Sequence, residues 1–163
     1  MLPTLIYATL SFWLLTLMQA AVIPFWLGDF VFLAIFVWSL YVAKYRQGMG
    51  FPIWGYWIPL VFGLGMASFL FFSLWALLPY IIGASMLTYL LTSRSKWIFR
   101  WKEGFGSILV IFLAYAIIII LIRREVMQYI VTIDFLIRFL ITFVLGLIVW
   151  GYMVRNAKRG KIR

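Results

Sequence analysis

The chain has 163 residues, of which 67% are hydrophobic, 21% aromatic and only 11% charged. Soluble proteins carry roughly 25% charged and 45–50% apolar residues, and the mean hydropathy here is +1.11. These values exclude a soluble enzyme, a secreted disulfide scaffold and a disordered chain, and they indicate an integral membrane protein. The sequence contains no Cys and no His, which excludes thiolate chemistry, the usual zinc and haem sites and a histidine base.

Six apolar segments, in chain order, predict six membrane-spanning helices. The first has no Lys or Arg before it and no small-x-small cleavage site after it, so we interpret it as a retained helix rather than a secretion signal. We therefore predict an all-α integral membrane protein, a compact bundle of about six transmembrane helices in a single multi-pass domain over residues 1–163. A helix of about 20 residues crosses a hydrocarbon core about 30 Å thick. The expected spans are residues 4–23, 27–43, 56–72, 74–91, 105–122 and 135–154.

The third and fourth spans come from one long uncharged segment, residues 51–92. As a single helix it would be about 60 Å long at roughly 1.5 Å per residue, twice the thickness of the hydrocarbon core. We therefore predict a hairpin that turns near residues 71–73. Gly63 and Gly65, together with Ala67, are expected to form a small-residue packing surface rather than the turn.

The distribution of cations predicts the orientation of the chain. Of the 14 Lys and Arg residues, eleven follow spans two, four and six, and three lie at the opposite ends of the spans. Because cytoplasmic loops of membrane proteins are enriched in Lys and Arg, this asymmetry predicts that both termini are cytoplasmic. The clustering of cations between apolar segments favours membrane topology over nucleic-acid binding, and anionic lipid is the expected counter-charge.

Few polar residues lie at membrane depth. Asp134 and Arg138 are spaced i, i+4 near the outer end of span six, so they share one face and are predicted to form an ion pair. The pair either contacts a partner or another helix of the bundle, or it caps and anchors its own helix. Asp29 is predicted to cap span two as an N-terminal hydrogen-bond acceptor, with partner binding as the alternative. Gln19 in span one is a candidate for a hydrogen bond to a neighbouring helix.

A basic and aromatic segment follows span four. Cations interleaved with tryptophan favour a short interfacial helix that contacts anionic lipid on the cytoplasmic leaflet, and an ordinary basic loop is the alternative. The residues predicted to contact lipid are Arg94, Lys96, Trp97, Arg100, Trp101 and Lys102.

The sequence offers no set of side chains suited to catalysis. No acid or histidine lies deep in any predicted span, which argues against a proton relay, and four acids scattered along the chain do not suggest a paired-carboxylate site. There is no glycine-rich phosphate-binding loop and no serine with a suitable base. We therefore predict that the protein is not an enzyme and that it holds neither a metal nor a cofactor.

The order of a few residues carries a resemblance to a known family. A glutamine and a proline precede an acid that opens the second span, a glycine-leucine step lies in span three, and a tyrosine lies near the end of a leucine-rich span four. In these positions, in its length and in its basic C-terminal tail, the chain resembles the bacterial rod-shape-determining protein MreD family over most of its length. The residues concerned are Gln19, Pro24, Asp29, Gly63-Leu64 and Tyr89.

The resemblance implies a non-enzymatic scaffold of the bacterial cell-elongation (rod) machinery in the plasma (inner) membrane. Such a protein is involved in cell shape and peptidoglycan synthesis. It docks MreC, a single-span membrane protein, and thereby helps to couple cytoplasmic MreB filaments to other cell-wall elongation proteins. Docking in lipid would depend on close packing of small residues and on a few interhelical hydrogen bonds. One departure is Ala67, where the family often has an acid. The candidate partner contacts are Gly63, Ala67, Gly83, Ala84, Asp134 and Arg138.

Two alternative functions stay open at this point. A compact six-helix protein of this size also resembles the substrate-binding subunit of an energy-coupling-factor vitamin transporter, which requires an outward-facing pocket with convergent polar groups. The residues available for such a pocket are Ser73, Tyr80, Asp134 and Arg138. The other alternative is an unassigned subunit of a larger membrane complex.

Overall fold

A computed structural model describes residues 2–21, 29–49, 53–71, 74–127 and 133–159 of the chain. Side chains are described in these segments except at residues 20–21, 45–49, 53, 66–71, 74–77, 94–95, 122–127, 134 and 157–159. Within these segments the chain forms six helices and no strand, which confirms the all-α class. In chain order the helices are α1 (Leu2–Ala21), α2 (Phe30–Met49), α3 (Ile53–Phe71), α4 (Leu74–Ile98), α5 (Trp101–Met127) and α6 (Ile133–Arg159).

Three of these helices are long and apolar enough to cross a membrane. They contain the apolar stretches Leu2–Gln19, Trp101–Leu121 and Phe135–Asn156. Two shorter apolar stretches, Phe30–Lys44 and Leu78–Ser93, lie in α2 and α4. These lengths and compositions indicate a multi-pass membrane protein.

The long uncharged segment forms two helices that contact each other, as the predicted hairpin requires. The helix α3 is described to Phe71 and α4 from Leu74, and residues 72–73, where the turn is expected, lie outside the described residues. The bounds expected for span two differ from those of its helix, because α2 begins only at Phe30 and continues to Met49. Hydropathy marks where a helix can be buried in lipid, whereas capping and helix propensity decide where it begins and ends.

The basic segment after span four does not form the short interfacial helix that the sequence favoured, nor an extended basic loop. Instead α4 continues through it to Ile98, and α5 begins at Trp101, with only residues 99 and 100 between the two helices. Lys and Arg have good helix propensity, so a run of cations does not by itself end a helix. The prediction of a separate helix is therefore wrong.

The second helix lies at the centre of the bundle. It contacts α1, α3, α4 and α6, while α1 packs mainly on α3 and α4 packs mainly on α5. Phe32, Ile35 and Phe36 of α2 are completely buried. A helix that is apolar on all sides is suited to the interior of a bundle, and α2 takes that position. Large apolar side chains of α1, α5 and α6 are exposed on the outside of the bundle.

Glycine allows two pairs of helices to approach closely. A methyl group at Gly63 of α3 would lie 2.5 Å from Cβ of Phe12 in α1. At Gly146 of α6 it would lie 2.5 Å from the ring of Phe112 in α5. The small-residue surface predicted in span three is thus confirmed at Gly63, and it is used for packing within the chain.

Candidate functional site

The most concentrated polar group in the bundle is built around Asp29 at the N-terminus of α2. Its Oδ1 accepts a hydrogen bond of 3.0 Å from the backbone N–H of Phe32, and its backbone carbonyl accepts one of 3.0 Å from Leu33. This is the arrangement of an N-cap residue, so the predicted cap is confirmed. The residue is only 2% exposed, so its negative charge needs partners inside the protein.

Three other helices supply those partners. Arg138 of α6 donates from Nη2 to Oδ2 of Asp29 over 2.9 Å, and the two side chains form a buried ion pair. Tyr80 of α4 donates its hydroxyl to the same carboxylate, 3.0 Å from Oδ2 and 3.2 Å from Oδ1. Tyr115 of α5 also donates its hydroxyl to Oδ2. A single charge at mid-membrane costs about 2.5–3.5 kcal/mol on insertion scales, and pairing reduces this cost for both ions.

Two further side chains connect this group to α1 and strengthen its connection to α6. The backbone N–H of Asp29 donates to Oγ1 of Thr142 over 2.8 Å, and that hydroxyl in turn donates to the carbonyl of Arg138. Oε1 of Gln19 in α1 accepts from the N–H groups of Phe30 at 2.8 Å and Val31 at 3.3 Å. The predicted bond from Gln19 to a neighbouring helix is therefore confirmed.

We call Gln19, Asp29, Tyr80, Tyr115, Arg138 and Thr142 the Asp29 cluster. It joins α1, α2, α4, α5 and α6 at one point. The first four N–H groups of a helix have no partner inside the helix. At the start of α2 these are the N–H groups of residues 29–32, and all four donate to side chains, those of Thr142, Gln19 and Asp29.

Aromatic rings surround the carboxylate. The ring of Tyr115 stacks on Phe32 with a centroid distance of 3.6 Å, and Phe112 meets Phe32 edge-to-face at 5.2 Å. Gly83 of α4 lies beside the Phe32 ring, where a methyl group would be 3.3 Å away. In a low-dielectric environment the attraction within a hydrogen-bonded ion pair is strong, and a single buried charge without a partner is costly.

The hydrogen-bond acceptor sites of the Asp29 carboxylate are occupied by donors of this chain, and this limits the chemistry that the cluster can perform. Its two oxygens together accept from the Phe32 amide, two tyrosine hydroxyls and the Arg138 guanidinium. A carboxylate has about four acceptor sites, so a ligand would have to displace donors of this chain. The geometry is therefore suited to holding helices together rather than to general acid–base work.

A second polar connection joins α2, α3 and α4. The hydroxyls of Ser39 and Tyr56 share a hydrogen bond of 2.6 Å, and Tyr56 also donates to the carbonyl of Ala84 over 3.3 Å. The indole N–H of Trp38 donates to the carbonyl of Tyr56 over 3.2 Å. These bonds fix α3 against the central helix.

The residues predicted to contact a partner fall into two groups. Four of them lie in contacts between helices of this chain: Gly63 against α1, Gly83 against Phe32 of α2, Ala84 against Tyr56 of α3, and Arg138 against Asp29. The side chains of Ala67 and Asp134 lie outside the described residues, so the predicted pairing of Asp134 with Arg138 stays a prediction. The same holds for a role of these positions in partner binding.

The residues predicted to contact lipid lie at the connection between α4 and α5. The side chains of Lys96, Trp97, Arg100, Trp101 and Lys102 are all exposed there, and the side chain of Arg94 lies outside the described residues. Contact with lipid stays a prediction.

An apolar groove of about 510 Å³ runs along the side of the bundle between α1, α2 and α6. Its walls include Ala8 and Ser11 from α1, Ala34 and Trp38 from α2, and Met153 from α6. The groove is partly open to the outside of the bundle.

Sequence reasoning missed the pairing of Asp29 with Arg138 and the two tyrosines around it. A usable signal was present, because an ionisable residue in an apolar span is expected to have a partner. In the six-span topology the beginnings of spans two and six lie on the same side of the membrane, which brings Asp29 and Arg138 to similar depth. Tyr80 was named only as a candidate for a pocket and not as a partner of Asp29, and no signal marks Tyr115, since tyrosine is common throughout the chain.

The chain was compared with protein-family models, with curated proteins and with solved structures, and none of the three comparisons found a match.

Proposed function

We propose that this chain is a non-enzymatic membrane scaffold of the bacterial cell-elongation machinery. It crosses the plasma membrane six times with both termini in the cytoplasm, and it docks an MreC-like single-span protein by helix packing. The observation that carries the proposal is the Asp29 cluster, in which the buried charges bond to one another and hold five helices together. The resemblance to the MreD family supplies the identity of the machinery and the partner.

A helix bundle tied at one polar point is suited to presenting a fixed surface. In lipid the hydrophobic effect does not drive helices together, so association depends on shape and on a few hydrogen bonds. A surface that is already rigid loses less conformational entropy when a partner binds. The Asp29 cluster supports this role because it fixes the relative positions of α1, α2 and α6, the three helices that form the apolar groove.

The apolar groove is the docking surface in this proposal, and its occupant is the transmembrane helix of the MreC-like protein. Ala8 and Ser11 lie about one turn apart on α1 and face Ala34 of α2 across the groove. Small residues in such positions let a third backbone approach closely. A flexible acyl chain can pack against large side chains, so small residues in the wall favour a helix over lipid as the occupant.

The six-span topology rests on the lysine and arginine distribution, on the three long and two shorter apolar stretches, and on the uncharged helix α3 as the sixth span. Tags placed at the two ends of the chain and probed in intact spheroplasts test it. Both tags are expected to be reachable only after permeabilisation. A tag at either end that reacts in intact spheroplasts overturns the topology.

Docking is tested by co-purification of the full-length chain with a tagged MreC-like protein in mild detergent. Ser11→Phe fills the groove and is expected to lower recovery of the partner at least fivefold. Val110→Phe is the matched control, because Val110 is an exposed side chain on α5, away from the groove. It is expected to leave recovery unchanged.

Three results would contradict the proposal. Equal recovery with Ser11→Phe and the parent chain removes the groove as the docking surface. Absence of the MreC-like protein from the parent chain's eluate removes the scaffold function. Recovery of ATPase subunits or a bound vitamin instead supports the transport alternative.

A further inference from the structure

The connection between α4 and α5 is held by two backbone hydrogen bonds of its own and by one hydrogen bond from α6. The N–H of Arg100 donates to the Trp97 carbonyl over 2.9 Å, and the N–H of Gly104 donates to the Arg100 carbonyl over 2.7 Å. Trp150 of α6 is 2% exposed and donates its indole N–H to the Ile98 carbonyl over 2.9 Å. The end of α4 is therefore fixed to α6 as well as to α5.

Gly104 is needed for this close arrangement. A methyl group there would collide with the carbonyl of Ile98 and would lie 2.8 Å from Cζ2 of Trp150. The Trp150 ring also stacks on Trp101 with a centroid distance of 5.0 Å. Trp101 is thus oriented by a buried neighbour even though it is itself 60% exposed.

The outward side of the same connection carries cations and indole rings. Trp97 is 49% exposed, and the guanidinium of Arg100 lies 5.9 Å from its ring centroid. Lys96 and Lys102 are exposed on either side. The one acid in this part of the described chain is Glu103, 3.6 Å from Arg100, so the cations exceed the acid by two.

The C-terminal half of α6 adds a further cation. Gly151 of α6 lies against the ring of Trp101, and Arg155 follows one turn later with an exposed side chain. We call Lys96, Trp97, Arg100, Trp101, Lys102 and Arg155 the lipid corner.

We propose that the lipid corner binds the headgroup of an anionic phospholipid. Tryptophan prefers the depth between headgroups and acyl chains, and cations at that depth are attracted to anionic lipid. A phosphodiester offers oxygens for the Arg100 guanidinium and the lysine ammonium groups, while the exposed indoles pack on the upper acyl chain. The rigid connection means that these groups are preorganised for one lipid. This site is separate from the apolar groove and does not depend on the docking of a partner.

Native mass spectrometry of the full-length chain in detergent tests the site with an equimolar mixture of phosphatidylglycerol and phosphatidylcholine. The parent chain is expected to retain phosphatidylglycerol preferentially. Each cation near an anionic surface is worth about fivefold in binding, so Arg100→Gln with Lys102→Gln is expected to weaken retention of phosphatidylglycerol at least about tenfold. Lys161→Gln with Arg163→Gln removes the same charge from the C-terminal tail and is expected to have less than about a twofold effect.

A second variant distinguishes a built site from attraction by net charge alone. Trp97→Ala keeps every charge and is expected to weaken retention of phosphatidylglycerol about threefold or more, because it removes the indole that packs on the lipid. The proposal is overturned if the two double variants weaken retention equally, if Trp97→Ala has no effect, or if the parent chain retains both lipids equally.

Discussion

The two polar regions of this protein are organised in opposite ways. In the Asp29 cluster the charged side chains turn inward and bond to other helices, whereas in the lipid corner the backbone is bonded inward and the charged side chains turn outward. The contrast is sharpest for two arginines. The side chain of Arg138 is 9% exposed and that of Arg100 is 66% exposed. Burial, rather than residue type, therefore decides whether a cation stabilises the bundle or faces its surroundings.

Arg138→Leu is expected to have the largest effect on stability. It leaves the Asp29 carboxylate buried without its cation, and breaking a buried pair in this way costs about 3–5 kcal/mol. Thermal unfolding in mild detergent measures the loss, with Arg100→Leu as the exposed control expected to cost less than about 1 kcal/mol. Membrane insertion is expected to remain intact, since leucine is favourable in a span.

The double variant Asp29→Asn with Arg138→Leu sharpens this test. Asn still caps a helix but carries no charge, so the second change is expected to recover part of the stability lost in Arg138→Leu. Equal stability of Arg138→Leu and Arg100→Leu, or no recovery in the double variant, would show that the pair does not hold the bundle together.

Tyr115→Phe is expected to have the next largest effect. It removes a hydrogen bond to a buried carboxylate, and bonds to charged groups are worth about 1.5–3 kcal/mol. Tyr89→Phe is the matched control, because the Tyr89 side chain is 72% exposed. The same unfolding measurement compares the two variants. An equal loss of stability in both would show that the hydrogen bond from Tyr115 does not stabilise the bundle.

Gly63→Ala is expected to destabilise the packing of α1 on α3. The added methyl group meets Cβ of Phe12, which cannot move without its backbone, and overpacking of this kind costs about 1–3 kcal/mol. Gly65→Ala makes the same chemical change two residues away, where the methyl group meets no atom within 4 Å. It is expected to be neutral or slightly stabilising in the same assay. If Gly63→Ala and Gly65→Ala have the same thermal stability, the close approach of α1 and α3 at Gly63 does not contribute to the stability of the bundle.

Trp150→Phe is expected to lose about 0.5–1.5 kcal/mol for the neutral hydrogen bond to the Ile98 carbonyl, and the smaller ring adds a packing loss because Trp150 is only 2% exposed. The variant is also expected to loosen the lipid corner, since Trp101 loses part of the ring on which it stacks. Hydrogen exchange of the residues between α4 and α5 measures this loosening. Trp54→Phe, at an exposed position on α3, is expected to leave exchange there unchanged.

The all-helical class and the division of the long uncharged segment into α3 and α4 could be predicted, because both follow from hydropathy and from the length of helix that lipid accepts. The cap at Asp29 and the bond from Gln19 could be predicted because they depend on neighbours in the first hairpin. The end of α4 could not be predicted, because hydropathy falls at Arg94 whereas helix propensity stays high through the basic residues that follow. The pairing of Arg138 with Asp29 was not predicted, because it depends on folding that brings α2 beside α6, and sequence spacing points only to Asp134.

The Asp29 cluster also fixes the order in which the molecule can be completed. Asp29 is made early, and Arg138 leaves the ribosome 109 residues later, which at roughly 5–20 residues per second takes about 5–20 s. Until then the Asp29 carboxylate lacks the guanidinium with which it pairs in the folded protein. A product truncated before α6 therefore has to bury this acid without Arg138, at a cost in stability.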